Sequence, residues 1–492
     1  MGKSNEIVGF THDLNKRGVM SSQSTEAVCD GELVAVANNS AQKMPRSIPY
    51  LVGNELAERF SYYGMKAILV IFMTQYLVNK DNVLDTMSVA DARGWYHMFN
   101  SANYFFPILG SLVADIFWGK YKTILWLSVV YCLGHLCLAL DDTRMGLTLG
   151  LTLIAMGAGG IKPVVSSNVG DQFTAKNENM LEKIFGIFYL AINVGAFLSV
   201  IITPLLLKNY GPSVAFGFPG ILMLLATIVF RIGKKKSVIM PPVGWAQYKK
   251  DIFSPQGKKA IISLSVLYLF VSIFWALFDQ GGSAWVLQAQ QMNRVIDLRF
   301  WVFQYDWLHF EILAAQIKAA NPILVLLLIP LFTGVIYPAV NKVYELRPMR
   351  KMAIGMCLAA LSYVVAAIIE AHIRGGDQVN VAWQLVGYLL LTSGEIMLSV
   401  TGLEFSYTQA PNSMKSFIMG LWMLSMSVGN LFAAVVNFVI QRDDGSVILE
   451  GPSYFLFFAG LMMINTVLFA LISRRYKEEN YVQTHEGEDN LV

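Results

Sequence analysis

The sequence predicts an all-α membrane protein with twelve transmembrane helices. Of its 492 residues, 55% are hydrophobic and only 14% are charged, and the mean hydropathy is +0.50; these values are typical of polytopic membrane proteins. Runs of about 20 apolar residues are long enough to cross a bilayer, and in lipid they form helices because every backbone polar group must be paired. Twelve runs are centred near residues 64, 106, 131, 158, 196, 222, 269, 331, 361, 394, 428 and 463.

The distribution of Lys and Arg predicts the orientation of these helices. If both termini are cytoplasmic, the connections on that side contain 22 Lys and Arg from Lys43 onward, and those on the opposite side contain nine. Cytoplasmic loops are enriched in positive charge, so we expect an integral protein of the plasma membrane, either a bacterial inner membrane or a eukaryotic cell surface. The net charge of +3 then reflects topology, and no nucleic-acid partner is expected.

The spans divide into two bundles of six helices. We expect a mobile cytoplasmic tail at 1–47, a first bundle at 48–231, a basic cytoplasmic linker at 232–259, a second bundle at 260–475 and a second tail at 476–492. Equal halves joined by a charged loop are the layout of the major facilitator fold, in which the halves rock around a site at mid-membrane.

The connection between the second and third spans, GSLVADIFWGKYKT, supports this fold. It resembles a loop signature of that superfamily in which an acid and basic residues latch the cytoplasmic helix ends, here Gly110, Asp115, Gly119, Lys120 and Lys122. A solvated positive-inside turn is the alternative for the two lysines, but it does not explain Asp115 and Gly119. The longest external connection, about 281–320, fits a short interfacial helix, and no chemistry is assigned to it.

The first span carries a polar stripe at Glu55, Glu58, Arg59, Tyr62 and Lys66. Their spacings of 3, 4, 7 and 11 residues from Glu55 keep all five side chains on one helical face. A charge at the bilayer centre costs at least about 2.5–3.5 kcal/mol, so the stripe must face protein or a watery cavity. An internal salt bridge that only fixes helix packing is the alternative, although a stripe of this length makes it less favoured.

Ionisable residues also lie inside other spans. His97 is near the predicted external end of the second span, where an imidazole could change charge near neutral pH; a packing role is the alternative. Lys162 lies beside Pro163 and is too deep to reach water, so it requires a carboxylate partner or an anionic substrate group. The second bundle supplies the acids Asp279 and Glu395.

Together these residues predict a cavity with Arg59 and Lys162 on one wall and Glu395 with Asp279 on the other. Trp275 and Trp422 would lie between the walls, although lipid-facing or packing positions are equally open for both. A ligand with an ammonium group at one end and a carboxylate at the other fits this field, so the residues predict a zwitterionic, peptide-like substrate.

The sequence from 48 to 475 resembles the proton-dependent oligopeptide transporter family. The most specific motif is ExxERFxYYG at Glu55 to Gly64, followed by FYxxINxG from Phe188 to Gly195. GGIKP, DQF, FWALFDQ, an NP pair and SGE follow in the family's order. Two departures are Lys66, where Arg is usual, and Val400, where Pro is frequent in the family, so the local bend that Pro would cause is not expected from the sequence.

The resemblance implies binding roles for ten residues. It assigns the peptide carboxylate to Arg59 and Lys162, with hydrogen bonds from Asn193. It assigns the peptide amino terminus to Glu395, assisted by Asn321. Side-chain pockets would be lined by Tyr62, Tyr63, Tyr104, Trp275 and Trp422.

The resemblance also implies proton coupling at Glu55 and Glu58 and an external gate between Lys66 and Asp279. In the most similar animal members the residue matching His97 is implicated in proton sensing. The implied function is a proton-coupled symporter that imports di- and tripeptides, and also peptide-like drugs, by alternating access. Protons are the coupling ion, and we expect no other cofactor and no metal site.

Three alternative functions compete with this one. Transport of nitrate or another small substrate on the same scaffold is disfavoured because an acidic wall has no purpose for a bare anion. A sensor that binds but does not transport would not need the coupling groups. An enzyme is not expected, since the HExxH and GxSxG motifs of hydrolases are absent. The oligomeric state is not predicted.

Overall fold

The computed structural model describes residues 44–474, except 174–180, 243, 246–248, 251–252, 298, 300–304, 307–308, 410–414 and 442–446. The predicted tails therefore lie outside the described residues, apart from 44–47. The described chain is almost entirely helical, and its one sheet is a two-stranded antiparallel ribbon, so the prediction of an all-α protein is confirmed in outline.

The helices before the predicted linker are long and follow one another closely. They are α1 (Ile48–Gln75), α2 (Val89–Leu112), α3 (Lys120–Leu140), α4 (Arg144–Gly170), α5 (Leu181–Tyr210) and α6 (Pro212–Ile232). The α2 helix continues into a π-helical turn at Val113–Trp118, and a 3₁₀ turn at Gly233–Lys236 follows α6.

The second half is more interrupted. Its elements are α7 (Pro255–Phe278), α8 (Ala284–Gln290), β1 (Val295–Asp297), β2 (His309–Glu311), α9 (Ala320–Leu331), α10 (Tyr337–Asn341), α11 (Pro348–Arg374), α12 (Gln384–Glu395), α13 (Thr401–Thr408), α14 (Lys415–Ile440) and α15 (Pro452–Ser473). Turns of 3₁₀ helix lie at Asp279–Gly282 and Ala314–Ala319, and π-helical turns at Phe332–Ile336 and Ile396–Val400. The last of these shows that the helix is irregular at Val400 although Pro is absent there.

Ten helical segments in the described residues are long and apolar enough to cross a membrane. The other two predicted spans correspond to α1 and α2, which contain 28 and 24 residues. Both helices are long enough to cross a membrane. They are less apolar than the other ten because α1 contains buried charges and α2 contains many polar side chains. The count of twelve spans therefore stays a prediction for these two helices.

The helix starts follow local chemistry. Five long helices begin with Pro at one of their first two positions, where no backbone donor is needed. Ser88 caps α2 by accepting a hydrogen bond from Asp91 N, and Thr143 caps α4 through Met145 N. Ser254 caps α7, which begins at Pro255, five residues before the predicted start of the second bundle at 260.

Small residues bring the helices close together. Gly110 of α2 lies against the Gly160 backbone of α4, and Gly429 of α14 lies against the Ser272 carbonyl of α7. Helix α1 packs on α5 and α6, α3 on α4 and α6, and α11 on α12 and α15. Extensive packing of α2 on α14 joins the two halves. The division into two bundles stays a prediction.

The segment 281–320 differs from its sequence-based description. The short helix α8 is buried at every position from Ala284 to Ala289, and is therefore not interfacial. The chain then forms the β1–β2 ribbon and returns inward through the 3₁₀ turn Ala314–Ala319. We call the end of the molecule that carries the ribbon the ribbon end, and the end that carries residues 233–254 the linker end.

The predicted latch at the linker end uses a different acid. Lys120 Nζ lies 2.7 Å from Asp171 Oδ2 at the end of α4, whereas Asp115 accepts a backbone hydrogen bond from Gly244 through its carbonyl oxygen. Gly119 has a φ of +76°, a conformation that favours glycine, and it allows the chain to turn sharply into α3. The latch therefore joins α3 to α4.

We predict that Gly110→Ala destabilises the protein. A Cβ at this position would overlap the Gly160 carbonyl, and overpacking of this kind costs about 1–3 kcal/mol. Thermal unfolding of the detergent-purified variant should show a lower Tm. Gly460→Ala is the matched control because nothing lies within 4 Å of its Cβ position, and its Tm should be unchanged or higher. Equal Tm values for the two variants would contradict the close packing.

Candidate functional site: a polar cavity between the two halves

A cavity of about 210 Å³ lies between helices of the two halves. The first half contributes polar side chains from α1, α2 and α5, namely Tyr63, Lys66, Tyr104 and Asn193. The second half contributes charged and amide side chains from the turns before α8 and α9 and from α9 and α12, namely Asp279, Lys318, Asn321 and Glu395. Seven residues predicted from the sequence therefore line one cavity.

The acidic end of the cavity is organised by one amide. Asn321 Nδ2 donates to Glu395 Oε2 at 2.8 Å and to Thr392 Oγ1 at 3.0 Å. A hydrogen bond to a charged acceptor is stronger than a neutral one, so Asn321 fixes the orientation of the carboxylate. Glu395 is only partly buried and lines the cavity, and it can therefore accept a further donor from a ligand.

The facing wall is aromatic and neutral. Tyr63 and Tyr104 line the cavity together with Asn193, whose Nδ2 donates to the Tyr189 carbonyl at 2.9 Å. Tyr63 lies within electrostatic range of both Arg59 and Glu395. Asp279 and Glu395, the predicted acidic wall, line the cavity, whereas Arg59 and Lys162, the predicted positive wall, are not among its lining residues.

A buried ion pair is part of the cavity lining. Lys66 Nζ lies 2.7 Å from Asp279 Oδ1, and the two side chains are 3% and 6% exposed. This contact joins α1 to the turn after α7, so the predicted gate residues are in direct contact. The second oxygen of Asp279 accepts a hydrogen bond from Asn430 Nδ2 at 2.7 Å.

The same network includes His97. Its Nδ1 lies 2.8 Å from Asn430 Oδ1, and its Nε2 lies 3.1 Å from Ser283 Oγ. Because Asn430 donates through Nδ2 to Asp279, its Oδ1 is an acceptor, and the neutral imidazole therefore carries its proton on Nδ1 and accepts from Ser283. His97 is fully buried. A proton-sensing role for it stays a prediction.

Three charged residues predicted to act in binding or coupling form a cluster on α1. Arg59 Nε donates to Glu55 Oε1 at 2.7 Å and lies 3.3 Å from Glu58 Oε2. The second contact is an ion pair without hydrogen-bond geometry, and among the described residues neither Glu58 oxygen has a hydrogen-bond partner. Arg59 is not among the residues that line the cavity.

Lys162 is stabilised by aromatic rings instead of an acid. Its Nζ lies 3.9 Å from the ring centroid of Tyr62 and 4.8 Å from that of Tyr104, distances typical of cation–π contacts. The Tyr62 hydroxyl accepts a hydrogen bond from Asn103 at 2.9 Å. No described carboxylate forms an ion pair with Lys162, although Glu58 attracts its charge over a longer distance; a ligand carboxylate as its partner stays a prediction.

The two predicted tryptophans pack against each other. Trp275 and Trp422 are 6.4 Å apart between ring centroids in an edge-to-face arrangement, and Tyr268 packs on Trp422 in the same way. Both tryptophans are buried, 5% and 1% exposed, and neither lines the cavity described above. Their role as walls of a side-chain pocket stays a prediction.

Sequence reasoning missed three polar residues of this region. Lys318 was assigned to an external connection, but it lines the cavity. Asn430 and Ser283 complete the network around His97 and Asp279. Asn430 could have been found because it is a polar residue in an apolar span. Lys318 could have been found because it lies three positions before Asn321, on the same helical face.

Long helices packed around a cavity with buried charges define an integral membrane protein of the major facilitator type. The model of the family described as "PTR2: POT family" matches residues 121–244 and 245–448. The chain belongs to the POT family. Solute carrier family 15 member 2 of Rattus norvegicus is 38% identical over 410 residues, which cover 73% of this chain and 54% of that protein. Peptide transporter 3 of Caenorhabditis elegans is 35% identical over 378 residues, covering 67% and 51%.

Solved structures agree with the family. A crystal structure of an auto-inhibited POT family peptide transporter has a TM-score of 0.79 at 33% identity and covers 89% of this chain and 99% of its own. The in meso crystal structure of the POT family transporter PepTSo has a TM-score of 0.77 at 35% identity, covering 88% and 99%. The chain spans about half the length of the curated relatives named above.

We predict that the Lys66–Asp279 pair is strongly coupled. Lys66→Met or Asp279→Asn alone leaves an unpaired buried charge, which costs about 3–5 kcal/mol, whereas the double variant should recover much of this loss. A double-mutant cycle on the Tm of the purified protein measures the coupling.

The control for this cycle is an exposed pair at the ribbon end. Arg144 and Asp85 lie 2.7 Å apart, with side chains 53% and 42% exposed. Exposed pairs contribute little, so Arg144→Met should hardly change the Tm. Additive losses in the Lys66 and Asp279 variants would contradict a coupled gate.

Proposed function

We propose that this chain is a proton-coupled symporter that imports di- and tripeptides by alternating access. The observation that carries the proposal is the cavity in a POT fold, with Glu395 held by Asn321 on one wall. A carboxylate aimed into such a cavity suits the ammonium group of a peptide amino terminus. The names of relatives such as Peptide transporter 3 support the same substrate class.

In this proposal the protein lies in the plasma membrane with both termini cytoplasmic and the ribbon end outside. The excess of Lys and Arg in the connections at the linker end supports this orientation. The Lys66–Asp279 pair would then close the cavity on the external side. The arrangement of helices described above would correspond to a state closed to the outside.

The peptide would bridge the two halves. Its amino terminus would bind Glu395 and Asn321, and its carboxylate would bind Arg59 and Lys162. Lys162 suits this role because its charge has aromatic contacts but no acid partner among the described residues. Arg59 is held by Glu55 and Glu58, so it must be released before it can bind a second carboxylate.

Proton coupling follows from this competition. A proton on Glu58 removes one of the two negative charges beside Arg59, and the guanidinium then becomes available to the peptide carboxylate. Glu58 suits the role because it is buried and its oxygens lack hydrogen-bond donors among the described residues. Each proton that enters down a membrane potential supplies about 2.3 kcal/mol per 100 mV, enough to concentrate a peptide about fiftyfold.

His97 would couple a proton to the gate. An imidazolium donates from both nitrogens, so protonated His97 could no longer accept the hydrogen bond of Ser283. This change would alter the network of Asn430 and Asp279, which closes the ribbon end. Opening would also require Lys66 and Asp279 to separate. Transport of nitrate is disfavoured because Glu395 would repel an anion in the same cavity.

We predict that Glu395→Gln selectively weakens recognition of a free amino terminus. Loss of a charge-assisted hydrogen bond corresponds to roughly 1.5–3 kcal/mol, or about a 10–150-fold weaker affinity. Competition against a fluorescent reporter dipeptide should show this loss for Ala-Ala but not for N-acetyl-Ala-Ala. Equal losses for both peptides would exclude an amino-terminal role for Glu395. Glu404→Gln, at an exposed position on α13, is the matched control.

A second prediction concerns energy coupling. Glu58→Gln should abolish accumulation of Ala-Ala in proteoliposomes under an imposed inward proton gradient, because the proposed proton site is lost. Counterflow exchange, which needs no net proton movement, should persist. Undiminished accumulation in the variant would remove Glu58 from the coupling role, and Glu404→Gln again controls for the substitution.

A further inference from the structure

The cavity contains a lysine that the binding scheme above does not use. Lys318 lies in the 3₁₀ turn before α9 and is partly accessible. It lines the cavity together with Lys66, Asp279 and Glu395. The accessible surface of Lys318 therefore faces the space in which we place the peptide.

The acid that attracts the charge of Lys318, Asp279, already has other partners. The two oxygens of Asp279 are occupied by Lys66 at 2.7 Å and by Asn430 at 2.7 Å. The hydrogen bond that the structure gives Lys318 Nζ is a long one, 3.5 Å to the Tyr96 hydroxyl, and no described carboxylate pairs with it. An ammonium group that is partly withdrawn from water is stabilised by an anionic partner, so Lys318 is poised to bind one from a ligand.

The backbone around Lys318 is shaped to admit it. A Cβ at Gly282 would lie 2.6 Å from Lys318 Nζ and would also overlap the Tyr96 hydroxyl. Any larger residue at 282 would displace the ammonium group. Lys318 therefore occupies a position that the turn at Asp279–Gly282 leaves open.

The position of Lys318 relative to Asn321 indicates which part of a ligand it would meet. The two residues are three positions apart, so their side chains leave the same face, separated by roughly 5 Å along the axis. Asn321 orients Glu395, where the peptide amino terminus is proposed to bind. The side chain closest to that terminus belongs to the first residue of the peptide.

Charge balance favours an acidic side chain there. Four cations, Arg59, Lys66, Lys162 and Lys318, accompany four acids, Glu55, Glu58, Asp279 and Glu395. A zwitterionic peptide leaves this balance unchanged, and a coupling proton then adds one positive charge. A carboxylate on the peptide side chain would neutralise that charge within the protein interior.

We propose that Lys318 makes the cavity selective for peptides whose first side chain carries a carboxylate, that is, aspartyl and glutamyl peptides. The proposal rests on the peptide transport proposed above. It adds a specificity-determining contact between the Lys318 ammonium group and the side-chain carboxylate.

The test is the ratio of kcat/KM for Glu-Ala to that for Gln-Ala, measured by uptake into proteoliposomes under an imposed proton gradient. The two peptides differ in charge but hardly in shape. The unmodified protein should prefer Glu-Ala by about tenfold, as expected for a charge-assisted hydrogen bond. Lys318→Gln should bring the ratio close to one. Lys80→Gln, an exposed lysine outside the cavity, should keep the preference.

Each outcome decides between explanations. A ratio near one in the unmodified protein, or a preference that survives Lys318→Gln, overturns the proposal. An equal loss of Glu-Ala and Gln-Ala uptake in the variant also overturns it, because Lys318 would then act only on the gate. Failure of the unmodified protein to take up Ala-Ala would instead refute peptide transport itself. If the variant does not fold, thermal stabilisation of the unmodified protein measures its ligand preference, and equal stabilisation by Glu-Ala and Gln-Ala overturns the proposal.

Discussion

The constraint that governs this structure is the cost of an unpaired charge in a medium that excludes water. A buried charge is tolerated only when it is paired and hydrogen-bonded, and this chain places several charges between its helices. Lys66 and Asp279 satisfy each other at 2.7 Å, and Asn430 saturates the second oxygen of Asp279. Because the partners come from α1, the turn after α7 and α14, the requirement for pairing joins distant parts of the chain. The resulting contact lines the cavity.

The same constraint distinguishes charged groups that stabilise the fold from charged groups that can still bind a proton or a ligand. Both oxygens of Asp279 accept a hydrogen bond, so the Lys66–Asp279 pair can separate only if new partners are provided. Glu58 is different because its oxygens have an ion-pair neighbour in Arg59 but no described hydrogen-bond donor. Lys162 has aromatic faces but no described acid. Incomplete satisfaction raises the free energy of these groups, so a proton or a ligand carboxylate can lower it. We infer that the partly satisfied groups are the ones that change partners during the proposed cycle.

The sequence predicted much of the fold and part of the site. Long apolar runs located the helices, since span length is dictated by the bilayer, and the polar stripe on α1 identified the buried face of that helix. Contacts between distant segments of the chain were harder to predict from the sequence. The family resemblance implied the Lys66–Asp279 pair, but no pattern indicated that Asn430 would connect it to His97. The latch was assigned to Asp115, although Lys120 pairs with Asp171. Both acids lie near the same helix ends, and the choice between them depends on three-dimensional geometry.

Lys318 shows why the sequence alone did not identify every residue of the cavity. Charge counting across connections placed it in an external loop, because positive residues near a span end are normally solvated. The chain instead turns inward after β2, and the 3₁₀ turn Ala314–Ala319 carries Lys318 into the cavity. Hydropathy cannot distinguish a lysine that leaves the membrane from one that turns into an aqueous chamber, since both end a span with one charge. Whether such a lysine lies in solvent or in the cavity depends on the residues of the opposite cavity wall. Here both oxygens of Asp279 already have partners. The positive charge of Lys318 therefore has no ion-pair partner among the described residues until an anion enters the cavity. A transporter cavity can therefore obtain specificity from a residue at the margin of a span, where a single turn decides between solvent and substrate.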